Sequence, residues 1–253
     1  MAVELGLSPD IRWDSAVGDL VGAARQAGFS ALGLSAEWVG ADAPAVYDAA
    51  GLRCHELLVL MVDGDDAATL AAAEQLARTA AAVRAEWIPT LFYTGLTEET
   101  AKVVERCAAM FADAGAGMAV EFSPLGPVSS IRTGLEVVDA AGAGRAGLLI
   151  DSWHFSFGDS TWDDLARVPL DRIAYVQFAD APPPVSGDIA EETSQRRAMP
   201  GNGVLELDRF ASTLLGRGWE GLVSVEVLNT ELLALPMPEF ARLARDSAAR
   251  YWS

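Results

Sequence analysis

Four short apolar runs in the second half of the chain each end in a residue able to bind a metal ion. They are Met118-Ala119-Val120-Glu121, Leu148-Leu149-Ile150-Asp151, Ala174-Tyr175-Val176-Gln177 and Leu222-Val223-Ser224-Val225-Glu226. Each reads as a buried parallel strand with one polar group at its C-terminal tip, and in parallel α/β folds those tips gather on one face. Three carboxylates kept ionised together in a low-dielectric mouth repel one another, and a divalent cation removes most of that cost. Glu121, Asp151, Gln177 and Glu226 therefore form a candidate ligand set of three carboxylates and one amide oxygen. Such a hard, all-oxygen set suits one Mn²⁺ or Mg²⁺, with Co²⁺ and catalytic Zn²⁺ also able to occupy it. Taken singly, each residue is an ordinary polar group where a strand leaves the core; their consecutive order is what points to one centre.

Further groups with chemical capacity lie beside these tips. His154 follows Asp151 by three residues, close enough to hydrogen-bond a substrate oxygen or move a proton near neutral pH, although a helix-capping or packing histidine would have the same spacing. Trp153 could form an apolar wall. Arg197 presents forked donors that match a carboxylate or a pair of hydroxyls, and neighbouring Arg196 has the same capacity. The glycines of Pro200-Gly201-Asn202-Gly203 let a loop fold back closely over such a site. His55, near the start of a strand, reads as a satisfied core histidine. The roles of Glu37, Trp38 and Glu56 stay open.

The elements that must position these residues alternate from end to end. Strand patterns fall at Val3–Leu7, Ala31–Ser35, Cys54–Met61, Ile88–Tyr93, Met118–Phe122, Gly147–Asp151, Ile173–Phe178 and Leu222–Leu228. Helix signals open at Asp14-Ser15, Asp65-Asp66, Thr97-Glu98-Glu99, Ser130, Asp159-Ser160-Thr161, Leu207-Asp208 and Pro238-Glu239. Continuous alternation over this length implies an α/β fold, a closed (β/α)8 TIM barrel forming a single domain over residues 1–253. The first unit lacks a Gly-x-Gly-x-x-Gly turn, so a dinucleotide-binding half is not indicated. The longest break, Asp180–Glu206, is a loop expected to overhang the C-terminal face of the barrel.

Composition narrows the function classes. With 36 acidic and 18 basic residues, the net charge of −18 repels phosphate backbones and argues against nucleic-acid binding. Lys102 is the single lysine and falls in a helical pattern on the barrel exterior, so Schiff-base and pyridoxal-phosphate mechanisms, which need a lysine in the pocket, are disfavoured. Cys54 and Cys107 fall in different elements and are expected as unlinked buried thiols. The N-terminus lacks a basic segment followed by a long apolar stretch, and no run reaches membrane-spanning length. A cytoplasmic protein with no membrane partner is expected. Its oligomeric state is open, with a homodimer as one arrangement.

The second half resembles the xylose isomerase-like TIM-barrel superfamily of sugar phosphate isomerases and epimerases, which also contains inosose dehydratases and endonuclease IV. The family's ligands on strands five to eight are a Glu, an Asp, a His or Gln, and a Glu, matching Glu121, Asp151, Gln177 and Glu226. Its histidine after the Asp matches His154, and its substrate-contacting arginine matches Arg197. Asp151-Ser152-Trp153-His154, Val176-Gln177-Phe178-Ala179-Asp180-Ala181-Pro182, Arg197-Ala198-Met199-Pro200-Gly201-Asn202-Gly203 and Val225-Glu226-Val227-Leu228-Asn229 are most similar to bacterial 3-dehydroshikimate dehydratases and their relatives. Ketose epimerases usually carry His where this chain has Gln177. Endonuclease IV matches poorly, because it uses many more histidines than the two present here.

The resemblance implies an isomerase or epimerase acting on a small polyhydroxy carbonyl substrate such as a sugar or polyol ketone. A proton next to the carbonyl is removed by Glu121 or Glu226, through a metal-stabilised enediolate, with Arg197, His154 and Trp153 contacting the substrate. Expulsion of a β-hydroxyl instead, with His154 or a carboxylate as acid, would make the protein a 3-dehydroshikimate dehydratase-type lyase. A non-catalytic binding subunit with a vestigial metal site is the third expectation.

Overall fold

A computed structural model describes residues 3–252. Eight parallel barrel strands are formed by β1 (Glu4–Leu7), β2 (Ala31–Ser35), β3 in two pieces (Arg53–Leu58 and Leu60–Val62), β4 (Trp87–Phe92), β5 (Gly117–Glu121), β6 (Ala146–Asp151), β7 (Ile173–Phe178) and β8 (Leu222–Val225). Neighbours in sequence pair in parallel around the sheet, with register shifts at Leu32/Leu34 and Leu148/Leu149, and β1 pairs β8 through Glu4↔Leu222 to Leu7↔Val225, which closes the barrel. The two pieces of β3 divide the work of closure. The first pairs with β2 and touches β4 at Glu56↔Trp87; the second pairs with β4 from Leu60↔Thr90 to Val62↔Phe92.

Helices α1 (Val17–Ala27), α2 (Ala43–Ala50), α3 (Asp66–Val83), α4 (Glu98–Asp113), α5 (Ile131–Ala140), α6 (Ser152–Phe157), α7 (Trp162–Arg167), α8 (Ile189–Gln195), α9 (Leu207–Leu215) and α10 (Met237–Ala249) complete the βα units. Several expected starts are real caps. Thr97 accepts the N–H of Thr100, and Ser130 and Thr161 each form a reciprocal capping box with the third residue beyond. Asp14 and Ser15 do not cap α1, which begins two residues later behind Ala16 with no side-chain bond. Helices α2, α6 and α8 are not marked by the sequence patterns, being only eight, six and seven residues long. A turn or two is too short to display a 3.6-residue repeat.

The large core lies between strands and helices, and a second, smaller core of Ala31, Ala119, Leu149, Tyr175 and Leu222 fills the barrel interior. Glycines on one strand make room there for large side chains from the next. A Cβ at Gly117 would lie 2.3 Å from the Trp87 ring, and one at Gly33 would lie 2.4 Å from Glu56 Oε1. That exchange of volume is how the narrow interior reaches close packing while holding bulky residues. Cys54 and Cys107 are both free and buried, as expected. Lys102 sits outside, paired with Glu98 Oε1 at 2.9 Å on α4. Among the described residues, no helix is long and apolar enough to cross a membrane.

Candidate metal centre at the mouth of the barrel

The ends of β5 to β8 bring the expected residues together. Glu121 and Asp151 close β5 and β6, and Gln177 lies in β7 directly opposite Asp151. The regular strand β8 stops at Val225, one residue before Glu226, but the Glu226 N–H still donates to Phe178 O at 3.3 Å and keeps the residue beside β7. Asp151, His154, Gln177 and Arg197 are buried; Glu121 and Glu226 retain 7% and 8% exposure, so they are the carboxylates that solvent and a substrate can reach.

The Asp-x-x-His spacing has a structural cause. Asp151 is the N-cap of α6: its Oδ1 accepts the N–H groups of Trp153 (2.6 Å) and His154 (2.9 Å). Capping fixes His154 on the first turn, and there its Nε2 lies 3.1 Å from Glu121 Oε1. Glu121, Asp151 and His154 each offer an atom within 4.8 Å of the others, a set able to hold a metal ion. The histidine thus stands among the possible ligands, where the sequence reading had given it only proton transfer and substrate contact.

Arg197 knits the remaining carboxylates into this cluster. Its Nη1 donates to Asp151 Oδ2 at 2.7 Å and to Glu226 Oε2 at 2.8 Å, and Nη2 lies 3.4 Å from His154 Nε2. The other edge of the guanidinium donates to Thr193 O (3.0 Å) and Thr193 Oγ1 (2.9 Å) on α8. Arg196 faces elsewhere and is held by Glu192 at 3.0 Å, which separates the adjacent arginines. Trp153, expected as an apolar wall, is fully buried with the Arg197 guanidinium 5.5 Å from its ring centroid; it backs the arginine and presents no surface to the mouth.

Four carboxyl groups and one guanidinium make this an electrostatically strained place. Burial pushes the Glu226 carboxyl well above the usual range; Arg197 opposes that, but Asp151, Glu121 and Glu56 reinforce it. Burial also works against ionised Asp151, yet Arg197, His154 and the His154 backbone N–H together hold its pKa below the ordinary value. Gln177 Nε2 donates to Glu226 Oε1 at 3.1 Å and lies 3.4 Å from Glu56 Oε2. Its Oε1 is buried with no hydrogen-bond partner. An orphaned amide oxygen on a residue that pairs with Glu226 and stands opposite Asp151 fits a hard divalent cation.

Beneath Gln177 lies Glu56, whose role the sequence leaves open. Glu56 on β3 is fully buried and accepts a hydrogen bond from the Tyr175 hydroxyl. His55 Nε2 is 3.4 Å from Glu56 Oε1. His55 is a core residue as expected, but it is not satisfied, since neither ring nitrogen has a hydrogen-bond partner. Asp180, to which the sequence assigns no role, organises the long loop. Its carboxylate accepts the N–H groups of Ala181 (2.8 Å), Gly201 (2.9 Å), Gly203 (2.9 Å) and Leu205 (3.0 Å). The loop carrying Arg197 is therefore pinned back onto β7. The Pro-Gly-Asn-Gly stretch was the available signal, because a run of free N–H groups needs an acceptor.

The fold and this site define a barrel of the xylose isomerase kind. The family model for the xylose isomerase-like TIM barrel matches residues 21–250, and the chain belongs to that family. It is 30% identical over 135 residues to an inosose isomerase of Halalkalibacterium halodurans, a segment covering 53% of this chain and 47% of that protein. It is also 33% identical over 101 residues to a 3-dehydroshikimate dehydratase of Pseudomonas aeruginosa, covering 40% of this chain and 16% of that protein. The matches thus span about half or less of these relatives. The crystal structure of a zinc-bound IOLI protein superposes with a TM-score of 0.83, covering 99% of this chain and 98% of that one; at 17% identity the likeness shows the fold alone.

Proposed function

We propose that the protein is a divalent-metal-dependent isomerase or epimerase of a sugar or polyol ketone, with residues 1–253 forming one catalytic domain. The observation that carries this reading is the concentration of uncompensated negative charge at the mouth. Glu121, Asp151 and Glu226 converge there with only one guanidinium among them, and Glu226 is driven towards its protonated form. A proton does at Glu226 what a metal ion does better for the whole cluster. Glu121, Asp151 and His154, whose donor atoms lie within 4.8 Å of one another, would hold the ion, with Gln177 through Oε1 and Glu226, which Arg197 links to Asp151, completing the expected set. The oxygen-rich set favours Mn²⁺ or Mg²⁺, and the imidazole keeps Zn²⁺ and Co²⁺ within reach.

A bound divalent cation supplies Lewis-acid polarisation of a substrate carbonyl. The residues of the chain do the rest. Glu121 on β5 and Glu226 just beyond β8, the least buried carboxylates of the cluster, are placed to take a proton from the carbon beside that carbonyl and return it. His154, resting on Glu121, can pass a proton to or from a substrate oxygen. Arg197 ties Asp151 to Glu226 through one Nη1 and favours the charged form of Asp151, and the loop pinned by Asp180 keeps Arg197 in place.

A second reading, a 3-dehydroshikimate dehydratase-type lyase, is favoured by the segment shared with the Pseudomonas aeruginosa enzyme. The experiment is proton exchange in deuterated water by Mn²⁺-loaded protein against ketoses, inososes and 3-dehydroshikimate, with ultraviolet absorbance to detect an aromatic product. Exchange without absorbance supports the isomerase reading, and an absorbance rise supports the lyase. Stoichiometric metal without exchange on any substrate leaves a binding subunit. Failure to take up any divalent ion sinks both enzyme readings.

A further inference from the structure

We infer that Glu56 is a positioning residue that turns the Gln177 amide so that its oxygen, and not its nitrogen, faces the metal centre. The inference rests on the metal-binding reading above and concerns a residue that does not itself reach the mouth, being fully buried on β3.

The problem it addresses is specific to an amide ligand. The oxygen and nitrogen ends of a glutamine are nearly the same size, and rotation about its last torsion has no sharp preference. Only the oxygen can ligate; an NH₂ aimed at the cation repels it. Something outside the ligand set must choose the orientation. A carboxylate makes that choice because it can only accept, and here two carboxylates receive the same NH₂: Glu226 Oε1 at 3.1 Å and Glu56 Oε2 at 3.4 Å. Glu226 is itself a candidate ligand, committed to the ion and to Arg197. Glu56 is the acceptor with no other task at the mouth, and with its help Gln177 Oε1 is left buried and unpartnered.

Glu56 is in turn held from three sides. The Tyr175 hydroxyl donates to its Oε2, His55 Nε2 stands 3.4 Å from its Oε1, and Gly33 on β2 leaves the space it fills, since a Cβ there would come within 2.4 Å of Oε1. A fixed acceptor of this kind gives the amide a defined rotamer, as outer partners do for other metal ligands.

The test compares Glu56→Met, which keeps the volume but removes both acceptor oxygens, with Glu56→Gln, which retains one. Two readouts are taken: Mn²⁺ affinity by electron paramagnetic resonance, and the Gln177 side-chain amide resonances of metal-free protein, assigned with Gln177→Glu. Glu56→Met should weaken Mn²⁺ binding about ten- to a hundredfold and shift the Gln177 resonances, and Glu56→Gln should recover part of both. Combining Glu56→Met with Gln177→Ala should cost no more affinity than Gln177→Ala alone. If Glu56→Met does not fold, Tyr175→Phe, which loosens the same carboxylate, should move both readouts in the same direction. Wild-type binding of Mn²⁺ with the folded Glu56 variant, or Tyr175→Phe in its place, unchanged overturns the inference while leaving the metal reading intact. Wild-type protein that takes up no Mn²⁺ overturns the metal reading, and the inference with it.

Discussion

The two halves of the barrel mouth are built on opposite plans. The ends of β5 to β8 carry buried or nearly buried polar groups, Glu121, Asp151, Gln177 and Glu226, bound to one another or to Arg197 and His154. The strand ends at β1, β3 and β4 instead show exposed apolar side chains, Ile11, Met61 and Tyr93, which on the other half occur only out in the long loop, at Val185 and Val204, among the described residues. Charges that must act on the same few atoms have to converge, so they come from adjacent strands and are locked by mutual hydrogen bonds. Groups that only shape a cavity have no such requirement. The N-terminal half still reaches the cluster from below, where Glu56 lies against Gln177 with His55 beside it in the barrel interior.

The sharpest way to break this contrast is at the polar side. Glu226→Gln and Asp151→Asn should each lower turnover by about 10²- to 10⁴-fold while leaving circular dichroism unchanged. Steady-state rates near wild type for Glu226→Gln would show that β8 does not carry the acid–base group. Arg197→Met should come next. It leaves Asp151 and Glu226 buried without their shared partner, a loss of about 3–5 kcal/mol in metal-free protein by urea unfolding. Added Mn²⁺ should restore much of it, and an equal loss with and without the ion would contradict the cluster.

Asp180→Ala removes the acceptor of four backbone N–H groups and should cost about 1–3 kcal/mol, with hydrogen exchange rising first in the loop from Asp180 to Leu205. The pH dependence follows from the two shifted carboxyls. The folded pKa of Glu226 is raised above the unfolded value of about 4.3, so its contribution is full below that value and is lost as pH rises through the folded pKa. The folded pKa of Asp151 is lowered, so its contribution is present above about 3.9 and is lost as pH falls through the folded pKa. The increase in melting temperature on adding Mn²⁺ should therefore grow from about pH 5 to pH 8, as the ion replaces the Glu226 proton. An increase that is flat or falls over that range would place the ion elsewhere.

The smallest effects belong to the apolar side. Met61→Ala and Tyr93→Ala should change stability by no more than about 0.5 kcal/mol and leave Mn²⁺ affinity untouched, while altering KM. A change in metal affinity from either would erase the division between the halves.

Much of this molecule is legible in its residues. The strands over Ala31–Ser35 and Ile173–Phe178 were readable to the residue, and the others to within a few, because continuous apolar runs bounded by turn signals mark parallel strands. The caps Thr97, Ser130 and Thr161 were equally plain. Helix α2 escaped because eight residues rich in alanine display little periodicity, and α8 because it lies inside a polar loop. Among the candidate ligands, Glu121, Asp151, Gln177 and Glu226 were visible as strand-end residues, and the structure gathers them at one mouth.

What the chain determined alone was therefore its local order: which segments are strands, which residues stand at their ends, and so the xylose isomerase-like barrel. Tertiary structure decided how those ends interact. Closure through Glu4↔Leu222 placed β8 beside β1, capping by Asp151 swung His154 onto Glu121, and α8 delivered Arg197 rather than Arg196 to the carboxylates. It also brought Glu56 beneath Gln177, 121 positions away in sequence. Periodicity and capping act over a few residues and leave marks in the sequence. A hydrogen bond across the barrel depends on closure and on the space left by a glycine on the strand next to its acceptor, and no local pattern records either.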